Sequence, residues 1–73
     1  MNQYELEGLW VNGSLSGVDY QPYDNVLIKR GKHAGEVAFI VALIRVDLFP
    51  VYVAELRTGD SVTLEQSDME RAV

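Results

Sequence analysis

Apolar and polar residues alternate over short stretches through most of the chain after residue 24, as they do in half-buried β-strands. Residues 26–29 begin this pattern, and 36–46 form a longer run that is rich in β-branched and other apolar side chains. The pattern continues at 51–56 and 61–65, and turn residues separate the runs. Helical periodicity is missing from this part of the chain. The pattern therefore predicts short strands joined by tight turns.

The end of the chain predicts one further strand. The polar stretch 66–69 is typical of a single helical turn, with Ser67 as its cap and Met69 turned inward. A short terminal strand is expected near 71–73. Short, evenly spaced strands with one such turn favour a small barrel.

The first twenty residues are patterned differently, because Gly8, Gly13 and Gly17 interrupt a largely polar run. Asn12 and Gly13 lie between two apolar stretches, which favours a type I′ hairpin, since both turn positions need a positive φ. An alternative is a short helix through Leu9, with Asn2 as its N-cap and Glu5 three residues later. We favour the hairpin and expect an extension, 1–20, that packs on a domain spanning 21–73.

Residues 26–41 resemble the KOW motif of ribosomal and transcription elongation proteins. The resemblance rests on a V-x-I strand at Val26 and Ile28, a turn that contains Gly31 and Gly35, and small Ala38 at a tight bend. Residues 51–70 look like the closing part of SH3-like barrels. The resemblance implies an all-β fold, a single SH3-like, KOW-type barrel of five strands with an N-terminal extension. Because such barrels bind RNA, bind proteins or serve as scaffolds, the fold does not select a function.

The longest apolar run departs from the KOW pattern. Strict alternation places Ala38, Ile40 and Ala42 in the core, so the opposite face carries Val37, Phe39, Val41 and Leu43. KOW proteins have polar or basic residues at several of these positions. A strand that is apolar on both faces must be covered on both. We favour a cover made by the N-terminal Leu6, Leu9, Trp10 and Leu15 over Phe39; a partner or a second copy of the chain is the alternative.

The composition excludes several classes of protein and of binding site. The chain has 73 residues, no cysteine and a single histidine, which excludes a disulfide scaffold and zinc sites built on thiolates. No catalytic or nucleotide-binding motif occurs, so we expect neither an enzyme nor a cofactor. No apolar stretch approaches the length of a membrane span, and the acidic start, with Glu5 and Glu7, is unlike a signal peptide. We expect a cytoplasmic protein that does not cross a membrane.

Charge is distributed unevenly, although the net charge is −5. Residues 22–45 carry four basic and two acidic side chains, so a small basic turn lies on an acidic body. The resemblance implies RNA phosphate contacts at this turn, through Lys29, Arg30, Lys32 and His33. RNA binding is therefore the alternative function, and a solvated turn without a ligand is the plainer interpretation.

Aromatic residues predict a second kind of site. Four of them could converge on one edge of the barrel and form a groove for a peptide or a methylated lysine: Tyr20, Tyr23, Phe39 and Tyr52. A small core uses most of its aromatics internally, which is the competing interpretation.

The eleven carboxylates favour a basic partner. In size and charge the chain is similar to immunity proteins that neutralise basic nuclease toxins. The sequence thus predicts a non-enzymatic SH3-like module that acts mainly through protein contacts, as a regulator or inhibitor, and a homodimer is also open.

Overall fold

A computed structural model describes residues 2–72. The elements are helix α1 (Gln3–Val11) and strands β1 (Asn25–Ile28), β2 (Val37–Arg45), β3 (Val51–Leu56), β4 (Ser61–Glu65) and β5 (Met69–Arg71), with a 3₁₀ turn (Gln66–Asp68) between the last two. The five strands form one antiparallel sheet in the order β4-β3-β2-β1-β5. The predominantly β organisation is confirmed. The sheet is open, with β4 and β5 at its edges, and is compatible with a small SH3-like barrel.

The C-terminal prediction needs two corrections. The last strand spans Met69–Arg71, two residues earlier than expected, and Val73 lies outside the described residues. Glu65, not Ser67, is the cap of the 3₁₀ turn, because Glu65 and Asp68 exchange side-chain to backbone hydrogen bonds. Met69 is buried, as predicted.

The N-terminal extension contains helix α1 in place of a hairpin, so the favoured hairpin is wrong and the alternative helix is confirmed. The Asn2 side chain accepts a hydrogen bond from the Glu5 amide at 2.8 Å. Asn12 is the C-cap, and Gly13, with φ of 71°, follows it. Gly13 N–H donates to the Trp10 carbonyl at 3.0 Å and Ser14 N–H to the Leu9 carbonyl at 2.9 Å, which is a Schellman motif. An Asn-Gly pair is compatible with both a hairpin turn and the C-terminal end of a helix. Here the burial of Leu6 and Trp10 in the core favours the helix.

The core lies between the inner face of the sheet and the N-terminal extension. From the extension, Leu6, Trp10 and Tyr20 join the buried cluster of the sheet. Trp10 is 2% exposed, and its indole N–H donates to the Tyr20 carbonyl at 2.7 Å. The remaining buried members are Val26, Ile28, Ala38, Ile40, Leu43, Tyr52, Ala54, Leu56, Leu64 and Met69. One turn of helix separates Leu6 from Trp10, which explains why the segment is stable as a helix on this surface.

A bulge in β2 changes which side chains face the core. Ala38 and Ile40 point inward as predicted, but the register shifts between Ile40 and Ala42. Leu43 is therefore fully buried opposite Tyr52, whereas Ala42 is half-buried opposite Val53. The prediction for these two positions is wrong, because an extra residue reverses the alternation beyond the bulge.

No helix within residues 2–72 is long and apolar enough to span a bilayer.

Candidate protein-binding face

The outer side of the sheet carries an apolar surface, which we call the Phe39 face. On this side, Leu27 lies opposite Val37, and Phe39 lies between Asn25 of β1 and Glu55 of β3. Every sheet member of the Phe39 face is half-buried, and Tyr23 projects beside them. The members of the face are Tyr23, Leu27, Val37, Phe39 and Val53.

Tyr23 is the most exposed residue of this face, at 76%. Its ring centroid lies 6.4 Å from that of Phe39, with 36° between the ring planes. Its backbone has φ of 68°, in the left-handed region, which costs residues other than glycine about 1–2 kcal/mol of conformational energy. Backbone strain of this kind is often found at binding sites, where it fixes the direction of a side chain.

Hydrogen bonds hold the turn that contains Tyr23. The Tyr23 amide donates to the Ile40 carbonyl at 2.7 Å, and the Gln21 amide donates to Asp24 Oδ2 at 2.8 Å. Arg71 forms an ion pair with Asp24 at 3.2 Å and donates to the Asp19 carbonyl at 2.9 Å. These contacts join the turn to β2 and β5, so they hold the backbone that carries the exposed tyrosine in place.

The N-terminal extension does not cover Phe39 as the sequence led us to expect. Leu6 and Trp10 pack with the inward-facing residues, and Leu15 is half-buried against the same core. Leu9 is 37% exposed. The extension therefore closes the inner side of the sheet and leaves the Phe39 face without a helix.

The four aromatic residues of the predicted groove occupy two places. Tyr23 and Phe39 pair on the outer face, whereas Tyr20 and Tyr52 are buried in the core, with centroids 5.7 Å apart and ring planes at 77°. The Tyr20 hydroxyl donates to the Met69 carbonyl at 3.3 Å. Desolvation in the core raises the pKa of Tyr52 to about 12 and also raises the pKa of Tyr20. Because Tyr20 and Tyr52 are buried, Tyr23 and Phe39 are the two of these four residues that a partner could contact.

Gln66 joins the 3₁₀ turn to the extension, a role that the sequence does not reveal. Its Oε1 accepts hydrogen bonds from the Asp19 amide, at 2.9 Å, and from the Tyr52 hydroxyl. Its Nε2 donates to the Gly17 carbonyl at 3.0 Å and to Asp19 Oδ2 at 3.1 Å. No motif marks such a residue, because its partners come from distant parts of the chain.

The predicted basic residues lie together in the turn between β1 and β2, but two of them are paired. His33 Nδ1 lies 2.9 Å from Glu36 Oε2, and Arg30 lies 3.7 Å from Asp68. Between residues 2 and 72, Lys29 and Lys32 have no acidic side chain within 4.0 Å. Arg45 is at the opposite end of β2, 5.3 Å above the Phe49 ring. The turn thus offers two unpaired lysines.

Carboxylates do not gather into a metal site in the described part of the chain, where no three His, Asp or Glu side chains are arranged to hold an ion.

No protein-family model matches the chain, and no curated protein is similar enough to identify a relative.

Proposed function

We propose that the protein is a binding module that recognises a partner protein through the Phe39 face. The observation that carries the proposal is Tyr23, an aromatic residue that is 76% exposed, strained in its backbone and in a tilted ring contact with Phe39. Large aromatic residues dominate the binding energy of many protein interfaces, and rigid ones lose little entropy on binding. The apolar residues beside the pair extend the surface that a partner would bury.

Charge favours a basic partner. The chain carries a net charge of −5, and Glu55 lies directly opposite Phe39. Acidic charge steers a basic protein toward the face and disfavours acidic competitors. A regulator or inhibitor of a basic enzyme fits this description, and immunity proteins against nuclease toxins are one such class.

We also propose that the sheet belongs to the SH3-like barrels of KOW type. The strand order and the 3₁₀ turn before β5 support this assignment. Positive φ values of 86° at Gly31 and 92° at Gly35 support the glycine turn of the motif.

Two substitutions of equal charge test the binding function. Phe39→Lys places an ammonium group in the centre of the face, while its aliphatic stem can still lie on the sheet near Glu55. Leu48→Lys makes the same charge change at a residue that is 92% exposed in the loop after β2. In affinity capture from the cells that make the protein, we expect Phe39→Lys to lose a partner that Leu48→Lys retains. Equal retention by both folded variants would reject the Phe39 face.

RNA binding is the second candidate, and the clustering of the four basic residues on one turn favours it. Two phosphate contacts, from Lys29 and Lys32, give weak binding, with a slope of log affinity against log salt of about −1.4 on single strands. A titration with mixed-sequence single-stranded RNA, followed by backbone amide resonances, measures that slope. Binding that persists in the Lys29→Glu, Lys32→Glu double variant contradicts this function.

A further inference from the structure

The two edges of the sheet are not equally protected. Strand β5 has only three residues, and residues 19 and 20 lie against it, because the Tyr20 hydroxyl donates to the Met69 carbonyl and Arg71 donates to the Asp19 carbonyl. Strand β4 has five residues, Ser61–Glu65, and contains no proline, lysine or bulge. Proline, lysine and bulges are features by which proteins usually prevent an edge strand from pairing with another chain. The edge of β4 is therefore open to an added strand.

The hydrogen bonding of β4 identifies the groups that an added strand would use. The Leu56 amide donates to the Asp60 carbonyl and the Gln66 amide to the Pro50 carbonyl, which fixes the alternation of the β3–β4 ladder. Val62 and Leu64 thus bond to β3, while the N–H and C=O groups of Ser61 and Thr63 point away from it. In the described chain, neither of these two residues bonds to any other group through its backbone.

A groove runs between the open edge and the turn that follows β1. Val62, Thr63 and Leu64 line one side, and Arg30, Lys32 and His33 line the other. In a strand added to β4, the side chains opposite Val62 and Leu64 would lie on the inner side of the sheet and enter this groove. Such side chains lie two residues apart in the added strand.

The lining of the groove carries more basic than acidic side chains, although the chain as a whole is acidic. Asp68 is its acidic lining residue, and this carboxylate already contacts Arg30 and the Glu65 amide. Glu65 is itself engaged in the cap with Asp68, and Asp60 accepts a hydrogen bond from the Thr58 hydroxyl. Lys32 is exposed, with no carboxylate within 4.0 Å among residues 2–72. A carboxylate on the ligand is the group that these free and partly engaged cations would bind.

We propose that β4 is a docking edge that takes an extended acidic peptide as a sixth strand. The backbone groups of Ser61 and Thr63 supply the hydrogen bonds. Carboxylates at alternate positions of the peptide reach Lys32 and Arg30 across the groove. This surface is separate from the Phe39 face, and its ligand has the opposite charge.

A titration with a capped peptide of alternating threonine and glutamate tests the proposal. We expect the Ser61 and Thr63 amide resonances to shift saturably and their hydrogen exchange to slow, because both amides gain acceptors. The same peptide with lysine in place of glutamate should not bind. A peptide of identical composition with consecutive glutamates should bind more weakly, since only alternation directs the carboxylates into the groove.

Two pairs of variants locate the ligand. Thr63→Pro removes an outward N–H without touching the ladder to β3 and should abolish binding, whereas Thr63→Val should retain it. Lys32→Glu should weaken binding about fivefold, and Lys29→Glu, which makes the same charge change outside the groove, should weaken it less than about twofold.

Several outcomes would overturn the proposal. One is the absence of shifts at Ser61 and Thr63 in the wild-type protein, which needs no variant to fold. Others are tighter binding of the lysine peptide, shifts at the same amides caused by single-stranded RNA, and self-association through β4 in sedimentation experiments without peptide. Persistent binding by a folded Thr63→Pro variant has the same meaning.

Discussion

Glycine and alanine at position 23 separate the backbone strain of the Phe39 face from its ring contact. Both substitutions remove the tilted aromatic contact between Tyr23 and Phe39, worth about 0.5–1.5 kcal/mol, so this loss cancels when the two variants are compared. Alanine keeps the strain of a positive φ, about 1–2 kcal/mol, and glycine relieves it. Glycine also loses about 0.5–1 kcal/mol through its more flexible unfolded chain. We expect Tyr23→Gly to be more stable than Tyr23→Ala by about 0.5–1 kcal/mol.

Urea unfolding followed by Trp10 fluorescence measures this difference, because Trp10 is the single tryptophan and is 2% exposed. Val53, in the middle of β3, provides the control: there alanine should be more stable than glycine, as is usual in a strand. Alanine equal to or more stable than glycine at position 23 would refute the strain argument. Both position 23 variants should lose the partner, because both lack the aromatic ring that the partner would contact.

Other predictions concern what holds the fold together. Trp10→Ala should cost about 3–5 kcal/mol and leave the domain largely unfolded by circular dichroism, since a core this small supplies little more; a cooperative, near-native melt would contradict the role given to α1. Gln66→Ala should cost about 1–3 kcal/mol and speed exchange of the Asp19 amide, and unchanged exchange would argue against the network. Asn2→Ala should cost about 1 kcal/mol in urea unfolding, whereas Asn2→Asp should cost less if capping is the cause. Because burial raises the pKa of Tyr52 to about 12 from an ordinary 10.0, the unfolded state ionises first; stability should hold below about pH 10 and fall as the pH rises from 10 to 12. Tyr52→Phe should reduce that fall, and an equal fall in the variant would assign it to other groups.

The strands could be predicted because their evidence is local. Alternation marks β1, β3 and β4, and turn residues mark the boundaries between them. The helix was misassigned for the opposite reason: Asn12 and Gly13 fit two local structures equally well, and only packing of Leu6 and Trp10 on the distant sheet distinguishes them. The bulge in β2 leaves no signal in a run where nearly every residue is apolar.

The sequence predicts which residue types form the candidate site, but not how these residues are arranged. The apolar outer side of β2 was evident from Val37 and Phe39, since both precede the bulge. The separation of the aromatic residues into a buried and an exposed pair depends on how the chain enters β1, which no periodicity describes. The positive φ of Tyr23 is likewise invisible, because sequence patterns associate that conformation with glycine or asparagine.

Photo-cross-linking from position 23 tests the binding face most directly. A photoreactive phenylalanine analogue replaces Tyr23 in the cells that make the protein, and the matched probe replaces Tyr4, which is 87% exposed on α1. We predict a protein adduct from position 23 that is missing from position 4 and disappears when Phe39→Lys is added. Adducts from position 4 alone, or adducts from position 23 that ribonuclease removes, would contradict it.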